Sequence, residues 1–347
     1  MKERKNNNMY LLASAYSEGI TPGIVVYDFD TQTGEIKYVS EITGIVNPSY
    51  LAVSPNERYV YAVNETANGE VSSFAFDKTT GTLKPMNRQF TEGADPCYIN
   101  INRDATRLFT ANYSGGNVSV FSLLDDGTIE PLLQNIAFSP ESHIHTVVFS
   151  PDKQHLLITD LGTDSIYQFS EAHTDTTEHL YRKEQAIYLE NGAGPRHLAF
   201  HPNGKFLYCI NEIAGTITVM DYSTDFCSVR QTVASDTTSG IGGKGSADIH
   251  LTPDGKFLYA SNRLKADGIA VFSVNQKTGM LTNTGYQETG SHPRNFTLSP
   301  NGKFLLCANR DSNNIQIFEI DTQNGLLRNT GKEIRQYRPV CLKWIGK

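Results

Sequence analysis

Four arginines, two glutamates and a histidine stand at equivalent places in this 347-residue chain, in settings otherwise made of Leu, Val, Phe, Tyr and Ala. They are Arg196, Arg263, Arg294, Arg310, Glu65, Glu212 and His145. Their equivalence comes from a repeated unit: a strand, a tight turn of the Ser-Pro-Asn/Asp-Gly kind, and a second strand followed by Asn or Asp. The copies turn at Pro55, Arg103, Pro151, Pro202, Pro253 and Pro300, which are 47 to 51 residues apart. Six residues before each turn lie Ser49, Cys97, His145, Arg196, Ala247 and Arg294; ten after it lie Glu65, Tyr113, Leu161, Glu212, Arg263 and Arg310. In an antiparallel hairpin these two positions face each other at one end, so together they describe one ring.

The chemistry open to such a ring is specific. Guanidinium forks grip carboxylate or phosphate, and a carboxylate with an imidazole can move protons. An anionic small molecule is the expected ligand; a structural ring of salt bridges closing a channel is the alternative. His143, His197, His250 and His292 also fall near this end. His143 and His145 alternate on one strand as a metal pair would, but no third ligand stands at a recognisable spacing, so no metal is expected. His201, beside its turn, is expected at the surface. The residue preceding each second ring position is Asn64, Asn112, Asp160, Asn211, Asn262 or Asn309. A feature present in every copy reads as scaffold, a short polar side chain tying strand-end backbone.

Two kinds of hairpin must position that ring. Between the inner copies lies an outer hairpin that recurs seven times, from GIVVYDFDTQTGEIKYV to NNIQIFEIDTQNGLLRN, typically around a Thr-Gly, Asp-Gly or Asn-Gly turn. This period, with several strands per unit, is the signature of a β-propeller. Only six inner hairpins are complete. The strand Met9 to Tyr16 reads as the second inner strand of a blade, and Arg338 to Gly346 as a first inner strand. Pairing the two ends completes a seventh blade and leaves no open sheet edge. The expected fold is all-β: a seven-bladed β-propeller of four-stranded antiparallel blades, the last closed by the N- and C-terminal strands. It forms one domain over residues 9–347 after a flexible N-terminus, residues 1–8.

Composition narrows the partners. A net charge of −7 without a basic stripe argues against nucleic acid. No apolar run approaches the roughly 18 to 20 residues of a spanning helix, so no membrane partner is expected. MKERKNNN followed by MYLLASAY is too short in apolar residues for a leader, which favours the cytoplasm. Cys97, Cys209, Cys227, Cys307 and Cys341 form no CxxC pair and read as reduced core thiols. GIGGKG at 240–245 fits GxGxxG formally, yet it precedes a strand instead of opening a helix. A GxSxG nucleophile elbow is lacking.

The segments GPRHLAFHPNGKFLYCINE, SADIHLTPDGKFLYASNR and HPRNFTLSPNGKFLLCANR resemble the lactonase family of seven-bladed propellers, which includes the propeller type of bacterial 6-phosphogluconolactonase and the fungal carboxy-muconate cyclase. The likeness covers essentially the whole chain. In the cyclase branch the functional residues are a His of the HxH strand, the Arg of PRH, the Glu of NE and the Arg of SNR; these fall on His145, Arg196, Glu212 and Arg263, with His143 a second choice for the first. The resemblance implies hydrolysis of a sugar lactone, 6-phospho-D-glucono-1,5-lactone foremost, in the pentose phosphate pathway, with no cofactor. Expected roles are water activation by Glu212 aided by His145, oxyanion binding by Arg196 and Arg263, and phosphate binding by Arg294 and Arg310. Glu65, His143, His197 and His250 complete the expected substrate contacts, and Glu65 is an alternative base. A muconate-type cycloisomerase, a calcium-dependent lactonase and a non-enzymatic propeller docking a protein are the rival readings.

Overall fold

Runs such as YVYAVN, FLYCIN and FLLCAN place an apolar or small residue at almost every position, as strands covered on both faces require. In the computed structural model, which describes residues 7–171, 181–223, 227–237 and 245–347, these runs are the second strands of inner hairpins and are buried along their whole length. The described residues form 28 strands, from β1 (Asn8–Ala15) to β28 (Pro339–Gly346), in seven four-stranded antiparallel sheets. The first strands of six blades are β4 (Leu51–Val53), β8 (Pro96–Ile101), β12 (Ile144–Phe149), β16 (Pro195–Phe200), β20 (Ser246–Leu251) and β24 (Pro293–Leu298). They touch in that order, and β28 joins β24 back to β4. This closed ring of seven blades is the all-β propeller expected from the repeat.

Closure uses both chain ends. The seventh sheet runs β28, β1, β2 (Ile24–Asp30), β3 (Ile36–Ile42), with Met9 opposite Gly346 and Ala15 opposite Pro339. Trp344, the single tryptophan, packs 5.2 Å from the Phe29 ring and donates its Nε1–H to the Leu298 carbonyl at 2.8 Å. Order begins earlier than residue 9: Asn8 starts β1, and the Asn7 carbonyl accepts the Thr31 N–H and hydroxyl. The rest of the expected flexible segment, residues 1–6, lies outside the described residues, as do 240–244 of GIGGKG.

Neighbouring blades lock through the outer turns. In five of them the turn glycine sits at left-handed φ against an aromatic ring near the start of a neighbouring blade's second strand: Gly34 on Phe304, Gly81 on Tyr10, Gly127 on Tyr59, Gly279 on Phe206 and Gly325 on Phe257. At Gly325, φ 76°, a Cβ would fall 2.4 Å from the Phe257 ring, so only glycine fits. Fully buried Leu and Phe side chains such as Leu11, Phe121 and Phe272 each contribute about 2 kcal/mol. All five cysteines are free and buried. His201 departs from expectation: it is buried, because its Nε2 meets the Gly255 carbonyl of the next blade and its Nδ1 accepts the Asn203 N–H.

Candidate active site

In six of the seven blades the first inner strand carries a β-bulge at the ring position. Pro195 pairs with Asn211 and His197 with Ile210, which leaves Arg196 as the extra residue. The same slip leaves out Cys97, His145 and Arg294, the pair Ala247 and Asp248, and Val340 in β28. A bulge frees one side chain from strict alternation, and here it brings Arg196 onto Glu212. The facing half of the ring shares one backbone bond in every blade. In every blade the N–H of the second ring residue donates to the carbonyl at the rim of the first strand: Glu65 to Asn47, Tyr113 to Asp95, Leu161 to His143, Glu212 to Gly194, Arg263 to Gly245, Arg310 to His292 and Tyr16 to Arg338, between 2.7 and 3.2 Å. Such a bond is indifferent to side chain, so identity can vary from blade to blade without disturbing the scaffold.

Two carboxylates organise the mouth. Glu212 Oε2 lies 2.7 Å from Arg196 Nε and 2.9 Å from Arg263 Nη2. Burial alone would raise the Glu212 carboxyl, but Arg263 and Arg196 outweigh it and hold the group below the usual carboxylate range. Glu212 is 26% exposed whereas Arg196 is 2% exposed, so an incoming ligand meets the carboxylate first. Arg196 Nη1 donates to the Ala247 carbonyl and to His197 Nε2; Arg263 Nε donates to the Gly245 carbonyl and its Nη1 to His292 Nε2. In the second cluster Glu65 accepts the Tyr16 hydroxyl at 2.8 Å and lies 3.7 Å from Arg294. Burial pushes the Tyr16 hydroxyl up, so it stays a donor.

The histidines divide by depth. His145 is buried, 5.1 Å from the His197 ring and 5.9 Å from the Tyr113 ring, and its Nδ1 has no hydrogen-bond partner among the described residues. Burial first, then the charge of Arg196, hold it well below the ordinary imidazole value, so it is neutral at pH 7. His143 stacks on Tyr113 at 4.6 Å, at the rim. His197 lies beneath the ring: its Nδ1 donates to Asp248 at 2.8 Å and its Nε2 accepts from Arg196, an arrangement that requires the neutral ring. Burial, then Arg196, lower its pKa to about 4.

The expected site residues are therefore not equally placed. Arg196, Glu212 and Arg263 touch; Glu65 and Arg294 form the adjoining cluster; His145 stands beside them. Arg310 is drawn to Asp311, with Nε 2.6 Å from Oδ1. The structure does not bring His197 and His250 to the mouth as substrate contacts. Both ring nitrogens of His197 are occupied, and His250 lies further along its strand, bonded through Nε2 to Asp248. With Tyr50, Tyr98 and the turn residues Pro202 and Pro253, these histidines line a cavity of about 300 Å³ toward the opposite end of the channel. Three mouth residues lie outside the positions singled out from the sequence: Tyr16, Arg338 and Asp311. Tyr16 is the second ring position of the split blade, and aligning MYLLASAY with the other second strands would have found it. Asp311 follows a ring arginine and carries no repeat signal of its own. Among the described residues no group of three or more His, Cys, Asp or Glu is placed to hold a metal.

The family model described as Lactonase, 7-bladed beta-propeller, matches residues 10–344. The chain belongs to that family. It is 37% identical over 330 residues to a 6-phosphogluconolactonase of Formosa agariphila, covering 90% of this chain and 92% of the relative. The corresponding enzyme of Bacillus subtilis is 30% identical over 343 residues, 95% of this chain and 96% of its own. Among solved structures, a periplasmic gluconolactonase of Pseudomonas aeruginosa superposes with a TM-score of 0.92 at 30% identity, covering 98% of this chain and 99% of that one. No helix among the described residues is long and apolar enough to cross a membrane.

Proposed function

We propose that the chain is a lactone hydrolase that opens 6-phospho-D-glucono-1,5-lactone to 6-phospho-D-gluconate in the pentose phosphate pathway, with the Arg196–Glu212–Arg263 triad as its centre. The observation that carries this reading is one carboxylate clamped by two guanidinium groups at the mouth of a channel, beside a neutral imidazole whose Nδ1 has no hydrogen-bond partner among the described residues. Hydrolysis requires a base for water and positive charge where the carbonyl oxygen becomes an oxyanion. Glu212, doubly paired and of low basicity, suits the holding of the two arginines and the orientation of water or a sugar hydroxyl. His145 keeps a lone pair to spare and is assigned the larger share of proton transfer.

In this scheme His145 takes a proton as the water oxygen bonds to C1. Arg196 and Arg263 stabilise the tetrahedral oxyanion. The C1–ring oxygen bond then breaks, and the proton returns to the departing oxygen. His143 and Tyr113 flank the entry, and Glu65, Arg294 and Arg310 contact the remainder of the substrate. The names of the Formosa and Bacillus relatives support the phosphorylated lactone as substrate. The five unpaired buried cysteines support a reducing compartment, hence the cytoplasm. Comparison of 6-phosphogluconolactone with cis,cis-muconates tests the reading: lactone hydrolysis above the spontaneous rate is expected, and turnover of muconates alone would overturn it.

A further inference from the structure

Among the described residues, Arg338 is the mouth arginine without a carboxylate partner. Arg196 and Arg263 are engaged by Glu212, Arg294 by Glu65 and Arg310 by Asp311. Arg338 makes no ion pair among the described residues; its guanidinium lies 5.6 Å from the centre of the Tyr16 ring, which also receives Arg294 at 5.3 Å. It stands within electrostatic reach of Asp311, the partner of Arg310.

The backbone at Arg338 is equally telling. It holds the rim position whose carbonyl takes the Tyr16 N–H, at φ 37°. The same rim position is left-handed in five other blades, as Asn47, Asp95, Gly194, Gly245 and His292, at 44° to 71°. Left-handed backbone costs a long side chain stability that glycine keeps. The position is thus a scaffold feature, and what sets Arg338 apart is its long cationic side chain lying against Tyr16. The charge balance agrees: Arg196, Arg263, Arg294, Arg310 and Arg338 face Glu65, Glu212 and Asp311, leaving a positive surplus of two that suits a dianion. His145, His197 and His292 are all held neutral by burial and by the arginines beside them.

We propose that Arg338, flanked by Arg310, forms the subsite for the phosphate of the sugar lactone, while the carbonyl end lies against Arg196, Glu212 and Arg263. This rests on the lactonase reading and deepens it by locating the end of the substrate that distinguishes a phosphorylated from a free sugar acid. Calorimetric binding of the products 6-phosphogluconate and gluconate tests it without any turnover. Wild type should prefer 6-phosphogluconate, and Arg338→Gly should weaken 6-phosphogluconate binding about tenfold, the scale of one lost charge-assisted hydrogen bond. Its thermal midpoint should be unchanged or higher, because glycine suits the left-handed backbone. Arg338→Asn, matching Asn47 at the same rim position, is the second variant and should behave alike. Equal affinity of wild type for the two acids, or unchanged preference in both folded variants, would overturn the subsite. Absent lactone hydrolysis with the binding preference intact would instead overturn the lactonase reading and leave the subsite standing.

Discussion

Protonation at the mouth is set by which groups are buried and which are paired. Glu212 is held as a carboxylate by Arg263 and Arg196 against the cost of burial, and His145 and His197 are held neutral. An imidazole with a lower pKa in the folded chain than in the unfolded one opposes folding once the unfolded chain takes up its proton. Stability should therefore fall as pH drops below about 6.5, with His197 alone costing about 1.4 kcal/mol per unit down to its pKa of about 4. Urea titrations at pH 7.5 and 5.0 should show this; equal stabilities would contradict the neutral assignment. Enzymatic hydrolysis, corrected for the spontaneous reaction, should stay level from pH 8 to 6. His145→Ala should lower kcat about 100-fold with the fold intact. Which residues stand at the mouth was legible from the repeat, because equivalent positions share an environment. Which nitrogen meets which oxygen was not, since Asp248 and Asp311 act from outside the two repeated positions.

At the scale of the element, the hairpins separate what is uniform from what varies. Asn262 accepts the Ser235 and Ser246 hydroxyls and donates to the Ser235 carbonyl, in full burial. Its counterparts Asn64, Asn112, Asp160, Asn211 and Asn309 tie neighbouring strands and loops in the same way. Asn262→Ala should cost about 2 to 3 kcal/mol by leaving buried hydroxyls unpaired, read as a lowered denaturation midpoint. A cost under about 0.5 kcal/mol would show these bonds to be dispensable. The alternation of the strands and the scaffold role of this Asn or Asp were readable from pattern. The bulges were not: an extra residue such as Arg196 changes the register without changing the apolar rhythm around it, and with it His197 falls below the ring, bonded to Asp248.

Across the whole molecule, closure by the two ends makes the seven blades one cooperative ring. Residues 9–15 pair with 339–346, and β28 packs between β24 and β4, so its loss removes contacts on both sides. Trp344 emission therefore reports on closure directly. Its unfolding transition should coincide with that of the far-ultraviolet circular dichroism; an earlier fluorescence transition would mean that the ring opens before it unfolds. Deleting residues 339–347 should expose the β1 edge and drive aggregation. Blade number and closure were legible because the period of the repeat and the mismatch between six inner and seven outer hairpins count blades directly. The contribution of the split blade to the mouth, Tyr16 and Arg338, was hidden because its two halves lie at opposite ends of the sequence.

The most direct test is hydrolysis of 6-phosphogluconolactone by wild type, Arg196→Ala and Glu212→Gln, each corrected for spontaneous opening. Wild type should exceed the uncatalysed rate, and each variant should lose at least about 100-fold in kcat/KM, the scale of removing one oxyanion donor or a proton-transfer group, while remaining folded. A wild type at the spontaneous rate, or variants as active as wild type, would contradict a catalytic centre built on the Arg196–Glu212–Arg263 clamp.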